Sequence, residues 1–123
     1  MIYKIEKMVF HNEEAWMIKI PEKAVLHFVV QFAALHLGVI ETIKLIDKTS
    51  GCTINIYQNA IGGKAEYKIC LNKEEYPISK TSLEAIAALL TRIAINGWFD
   101  TAHIDIDIKE SISLCFTVEP PLQ

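Results

Sequence analysis

The segment 102–109 alternates strictly between apolar and polar residues, and no other feature of the chain constrains the fold as much. Successive side chains of a β-strand point to opposite faces of a sheet, so the pattern predicts a strand with one buried face. The residues predicted to be buried are Ile104, Ile106 and Ile108. The residues predicted to be exposed are His103, Asp105, Asp107 and Lys109.

Further strands are predicted where runs of β-forming residues lie between turn residues. They cover 2–10, 15–20, 39–47, 52–58, 64–71 and 111–118. The segment 72–79 is predicted to be a connection or to hold a short edge strand around Tyr76, because proline is confined to sheet edges.

Two helices are predicted from apolar residues at helical spacing and from their end signals. The first covers 21–37, since Pro21 suits the first helical position and Gly38 can adopt the left-handed conformation at the end. The second covers 82–96 and starts at a capping box, Thr81–Glu84, in which each side chain would accept a hydrogen bond from the other residue's backbone N–H.

These elements predict an α+β fold in the order ββαβββαββ, with residues 1–123 forming a single domain. Each predicted strand has one apolar face, so we expect a two-layer sandwich. One layer is a mostly antiparallel sheet of six or seven strands, and both helices lie on one face of it.

Composition and charge exclude several classes of function. The net charge is −3 and Arg92 is the single arginine, so the chain has no basic stripe for nucleic acid. No run of about 18 apolar residues is present, so no membrane span is expected. The three cysteines lack a C-x-x-C pair, which argues against a disulfide framework or a zinc site and indicates a reducing cytoplasm. No metal or cofactor is expected.

The polar face of segment 102–109 is the first candidate site. If this strand pairs with the last one, the facing pairs are His103–Thr117, Asp105–Cys115 and Asp107–Ser113. Such a face is either solvated, a protein-binding surface, or a place for a metal or a general base. Side chains two apart on a strand lie roughly 7 Å apart, which argues against direct cooperation between the two carboxylates.

Aromatic and acidic pairs supply the other candidates. Trp98 and Phe99 follow the second helix, where Trp98 would contact Ile93 or both would anchor a partner protein. The acidic pairs 13–14 and 74–75 are predicted to lie in turns. They are either solvated or joined with Asp105 and Asp107 in an acidic patch for a basic partner.

The first helix is apolar around most of its circumference, apart from a narrow stripe of Lys23, His27 and Gln31. One sheet covers only one side of a helix, so either the second helix or another chain must cover the rest. The residues that we expect the second helix to be too narrow to shield are Val25, Phe28, Val29, Phe32 and Leu35. The sequence therefore predicts a homodimer or an obligate protein partner.

The function predicted from these features is a non-catalytic, cytoplasmic protein-interaction module. Small inhibitors, immunity proteins and adaptors share this character, although the comparison is an analogy. The expected binding residues are Trp98, Phe99, His103, Asp105 and Asp107. The alternative is a small-ligand-binding protein or small enzyme, with an apolar pocket beside helix 21–37 and with His27 or His103 as its polar group. A deep apolar cavity beside that helix would favour the alternative.

Overall fold

The computed structural model describes residues 4–61, 64–97 and 103–119, and in this part of the chain the elements follow the order ββαββββαββ. The strands are β1 (Lys4–Phe10), β2 (Glu13–Pro21), β3 (Thr42–Ile46), β4 (Thr53–Ile61), β5 (Lys64–Leu71), β6 (Glu74–Ile78), β7 (His103–Lys109) and β8 (Ile112–Glu119). The helices are α1 (Val25–His36) and α2 (Lys80–Asn96), and a short 3₁₀ helix, Glu22–Ala24, precedes α1. The predicted α+β class is confirmed.

The strands form two four-stranded sheets. Sheet A has the order β1-β2-β8-β7, and sheet B is the meander β3-β4-β5-β6. Neighbours pair antiparallel throughout, except that β2 and β8 are parallel. The prediction of one sheet of six or seven strands is therefore wrong in detail. Alternation identifies which face of a strand is buried, but it does not identify the strand that pairs with it. The additional strand, β6, lies in the segment 72–79, for which the sequence allows either a connection or a short edge strand.

Both sheets and both helices contribute to one hydrophobic cluster. The apolar residues that alternate along β2, β4 and β5 and recur at helical spacing in α2 are buried, as this periodicity predicts: Trp16, Ile18, Ile20, Ile54, Ile56, Tyr67, Ile69, Leu71, Leu83, Ile86, Leu90 and Ile93. The helices pack on each other, while α1 also contacts β3 and α2 also contacts β7. Since β3 and β7 are edge strands of different sheets, the helix pair spans the two sheets and does not lie on one face of a single sheet.

Asp47 directly follows β3 of sheet B and connects it to β1, an edge strand of sheet A. Its Oδ2 accepts a hydrogen bond of 2.9 Å from the backbone N–H of Ile5 in β1. Its Oδ1 accepts bonds from the N–H groups of Thr49 and Ser50, and the Ser50 hydroxyl donates to the Ile5 carbonyl at 3.0 Å. These bonds lower the pKa of the Asp47 carboxyl, the Ile5 bond contributing most.

The sequence predicts where the helices end better than where they start. Gly38 has φ +75°, and the bonds Gly38 N–H to Leu35 C=O and Val39 N–H to Ala34 C=O form a Schellman motif. Pro21 belongs to β2, however, and α1 starts only at Val25. The start predicted at Pro21 is wrong because β2 pairs with β8 as far as Pro21–Glu119.

The N-cap of α2 also differs from the prediction. The Ser79 hydroxyl accepts a hydrogen bond of 3.1 Å from the Ser82 N–H, and the helix starts at Lys80. The predicted capping box Thr81–Glu84 is wrong, because both of its end residues already lie inside the helix.

Candidate functional site

The predicted pairing of the last two strands is confirmed. The facing residues are His103–Thr117, Asp105–Cys115 and Asp107–Ser113, with a bulge between Asp107 and Lys109. His103, Asp105 and Asp107 are all exposed, as predicted. On the opposite face Ile106 is buried, whereas Ile104 and Ile108, also predicted to be buried, are half-buried against the core. β7 is an edge strand, and charges together with a bulge are how edge strands avoid pairing with other chains. The use of this face for binding stays a prediction.

The chemistry of this face is that of a protonated thiol beside exposed carboxylates. Burial raises the pKa of the Cys115 thiol, and the nearby Asp105 raises it further. The Cys115 Sγ lies 3.5 Å from the Thr117 hydroxyl oxygen. A thiol in this state is a weak nucleophile at neutral pH. Among residues 4–61, 64–97 and 103–119, no group of three or more His, Cys, Asp or Glu side chains is placed to hold a metal ion. Trp98 and Phe99 lie outside the described residues.

The acidic pairs do not lie in turns, because Glu13–Glu14 opens β2 and Glu74–Glu75 opens β6. Glu14 and Glu74 line a shared cleft of about 510 Å³ between the two sheets, and neither Asp105 nor Asp107 lines it. The predicted acidic patch that joins all of these groups is therefore not formed in this cleft.

The two glutamates in this cleft are engaged by neighbours. The Lys7 Nζ lies 3.5 Å from the Glu14 carboxylate and 5.6 Å from the centre of the Trp16 ring. The Tyr76 hydroxyl donates a hydrogen bond of 2.5 Å to Glu74, which raises the pKa of Tyr76 to about 12. The Lys7 ammonium partly neutralises the cleft and the Tyr76 hydroxyl occupies the Glu74 carboxylate, so the cleft is less suited to a basic partner.

The surface of α1 divides into a buried and an outer face. The five residues expected to need a partner chain are covered within this chain: Val25, Phe28, Phe32 and Leu35 are buried, and Val29 is half-buried against the core. The expectation that the second helix is too narrow to shield them is wrong, because α2 lies alongside α1 and adds to the cover of the sheets. A homodimer or a protein partner stays a prediction.

An apolar surface nevertheless remains on the opposite side of α1. Its residues recur at spacings of four, three and four, so they lie on one side of the helix. We call them the outer face of α1: Leu26, Val30, Ala33 and Leu37. Leu26, Val30, Leu37 and the adjacent Val39 are between 58 and 74 % exposed.

A groove of about 390 Å³ lies between α1 and α2. Its walls are mainly apolar and include three alanines, whose small side chains leave the space open: Ala33, Ala87 and Ala88. The polar residues that line this α1–α2 groove are His36, Tyr67, Lys80, Glu84 and Thr91. Neither His27 nor His103, the polar groups expected beside the first helix, lines it.

The sequence contains partial signals for this groove. The alanines of α2 indicate close approach to a neighbouring helix, but only the structure shows that they face α1. Tyr67 belongs to the predicted buried face of β5, and buried tyrosine hydroxyls usually have a hydrogen-bond partner. Its position at the groove depends on how sheet B meets the helices.

In the described part of the chain, neither helix is both long and apolar enough to cross a membrane. No protein-family model matches the chain, and the searches of curated proteins and of solved structures found no significant match either.

Proposed function

We propose that this chain is a non-catalytic interaction protein of the cytoplasm, and that it pairs with a second copy of itself through the outer face of α1. The observation that carries the proposal is the apolar surface of this face, which stays exposed although the core is complete. Contiguous exposed apolar patches often mark interaction surfaces of soluble proteins, so this patch favours an interface.

A second copy fits this surface because a two-fold axis brings the same patch together twice. If the axis passes between Val30 and Ala33, the two α1 helices run antiparallel. Leu26 of one protomer then lies beside Leu37 of its partner, and the central contact is between small and medium apolar side chains. This is the self-complementary geometry of isologous dimers.

Charges at the two ends of the outer face support the same arrangement. Lys23 precedes α1, Glu41 follows it, and both are exposed. Neither forms an ion pair with another residue of the described segments. In the antiparallel dimer, Lys23 of one protomer would lie close to Glu41 of its partner at both ends of the interface. Such rim charges mainly influence the association rate and specificity.

The remaining features support a binding role in a reducing compartment. Cys52, Cys70 and Cys115 are unpaired thiols. Burial keeps the Cys115 thiol protonated, so the polar face of β7 and β8 lacks an activated cysteine nucleophile.

Sedimentation velocity at micromolar concentration tests the proposal. We expect wild type to sediment at about twice the chain mass of 13.9 kDa. Val30→Lys places a charge at the centre of the outer face and is expected to give a monomer. Ile95→Lys is the matched control, because Ile95 is a β-branched apolar residue on α2 that is even more exposed than Val30, and this variant is expected to stay dimeric.

The rim charges allow a second test of the arrangement. Lys23→Glu and Glu41→Lys are each expected to weaken the dimer, and the double variant is expected to restore it because the charges are exchanged. A monomeric wild type, or loss of the dimer in Ile95→Lys but not in Val30→Lys, would falsify the proposal. Thermal melting of each variant shows that a change of mass does not arise from unfolding.

A further inference from the structure

The α1–α2 groove has the size and composition of a small-molecule site. Its volume of about 390 Å³ falls within the range of roughly 300–1,000 Å³ that is typical of ligand pockets. Val29, Phe32 and Leu83 supply apolar contact area, and the three alanines keep the groove open. Most ligand sites combine such apolar walls with a few polar groups that orient the ligand.

Tyr67 supplies a polar group that lacks a partner. It is only 7 % exposed and lines the groove. Among the described residues no group hydrogen-bonds to its hydroxyl, in contrast to the Tyr76 hydroxyl, which donates to Glu74. The Tyr67 hydroxyl is not one of the fully buried unpaired atoms, so it meets solvent in the groove, and a ligand atom that accepts a hydrogen bond from it would take the place of water there.

A cation lies at the same end of the groove as Tyr67. Lys80 and Tyr67 both line the groove and both border a neighbouring cleft near the start of α2. The Lys80 Nζ is 3.8 Å from the Glu84 carboxylate, but both side chains are well exposed. An exposed ion pair of this kind contributes little, so the Lys80 ammonium can turn to an anion in the groove in place of the Glu84 carboxylate, which also lines the groove. The N-terminus of α2 adds favourable dipoles for a negative charge.

We infer that the α1–α2 groove binds a small apolar molecule that ends in a carboxylate. The apolar chain would lie along Phe32, Leu83 and Ala87, and the carboxylate would accept hydrogen bonds from the Tyr67 hydroxyl and the Lys80 ammonium. This groove adjoins the proposed dimer surface and shares Ala33 with it, but its other lining residues lie outside that surface. The inference therefore does not depend on the proposed function.

Isothermal titration calorimetry with decanoate tests this inference. We expect one saturable site per chain. Decylamine has the same chain with the opposite charge, and we expect it to bind at least about tenfold more weakly, because its ammonium would face the Lys80 ammonium and could not accept the hydrogen bond of the Tyr67 hydroxyl. Acetate has the same head group without the chain and is expected to give no measurable binding. Comparable affinity for decylamine would overturn the assignment of a carboxylate.

Substitutions in and outside the groove test where decanoate binds. Ala87→Phe fills the groove and is expected to abolish decanoate binding, while Ala94→Phe adds the same ring at an exposed position of α2 outside the groove and is expected to have no effect. Ala88→Phe repeats the test at an exposed residue of the groove, where the substitution leaves the core intact. Tyr67→Phe removes one hydroxyl and is expected to weaken binding roughly tenfold.

Two further results would overturn the inference. One is the absence of saturable decanoate binding to wild type at millimolar concentration. The other is equal loss of binding in Ala94→Phe and in the two groove variants. The Val30→Lys variant is expected to bind decanoate as wild type does, so failure of the dimer proposal and failure of the groove proposal give different results.

Discussion

At the scale of single residues, Ile106 and Asp107 are neighbours on β7 whose side chains enter different environments. Ile106 is buried in the hydrophobic cluster, and Asp107 is exposed. The covalent chain separates them by one peptide bond, so the sheet geometry alone decides which of them the core depends on.

Ile106→Ala is expected to lower the free energy of unfolding by about 2–5 kcal/mol, because it removes buried methyl and methylene groups and leaves a cavity. Asp107→Ala is expected to change it by less than about 0.5 kcal/mol, because that side chain is solvated. Urea denaturation of the two variants measures both values. Similar midpoints for the two variants would contradict the assignment of the faces of β7.

Residue environments were largely predictable from the sequence. The buried positions of β2, β4, β7 and α2 follow from periodicity, which depends only on local backbone geometry. The hydrogen bonds of Asp47 were not predictable, because its carboxylate accepts a hydrogen bond from the backbone N–H of Ile5, which belongs to the other sheet. Periodicity carries no information on contacts between residues that are distant in the chain.

At the scale of elements, the start of α2 shows how neighbouring strands select among competing helix caps. Ser79 and Thr81 both precede helical residues and both have a hydroxyl suited to capping. β6 extends to Ile78 and pairs there with Tyr67, which keeps Ser79 in an extended conformation with ψ 149°. The strand therefore determines where the helix starts, and local sequence could not.

Ser79→Ala is expected to destabilise the protein by about 0.5–2 kcal/mol, since the Ser82 N–H loses the hydroxyl that accepts its hydrogen bond. Thr81→Ala is the matched control and is expected to have little effect, because Thr81 is exposed within the first turn of the helix. Thermal unfolding of both variants measures the difference. A larger loss for Thr81→Ala would favour the capping box that starts at Thr81.

At the scale of the whole molecule, the arrangement of elements was less predictable than the elements themselves. The α+β class follows from the order of strands and helices, and β6 was indicated only as an alternative. The division into two sheets depends on the pairing of β2 with β8, which the alternation in either strand does not specify. The α1–α2 groove arises from this arrangement, so its residues could not be identified as a group.

Asp47 links the two sheets, and its contribution is expected to depend on pH. Asp47→Asn is expected to be less stable than wild type at neutral pH, because the uncharged amide is a weaker acceptor for the N–H groups that surround it. The folded-state pKa of Asp47 is lowered, so its stabilisation is present above the pKa of about 3.9 for an unfolded aspartate. That stabilisation is lost as the pH falls through the folded pKa.

Denaturation with urea between pH 7 and pH 3 measures this dependence. The gap in unfolding free energy between wild type and Asp47→Asn is expected to narrow as the solution becomes acidic. Asp107→Asn serves as the control, since this exposed aspartate of β7 lacks such bonds with described residues, and its gap is expected to stay small throughout. A gap for Asp47→Asn that is constant with pH would contradict a role for the ionised carboxylate.

The parallel pairing of β2 with β8 has a consequence for how the chain folds during synthesis. Sheet B consists of consecutive strands within residues 42–78, so it can assemble soon after this segment leaves the ribosome. Sheet A needs β8, whose Ile112 pairs with Glu14, so its central ladder cannot form until the distant segment 112–119 has been made. Contacts across such a separation are slow to form because a long loop must close first. Until then β2 has an open edge and Trp16 lacks its neighbour Leu114, and an unpaired strand edge with exposed apolar surface is prone to aggregation.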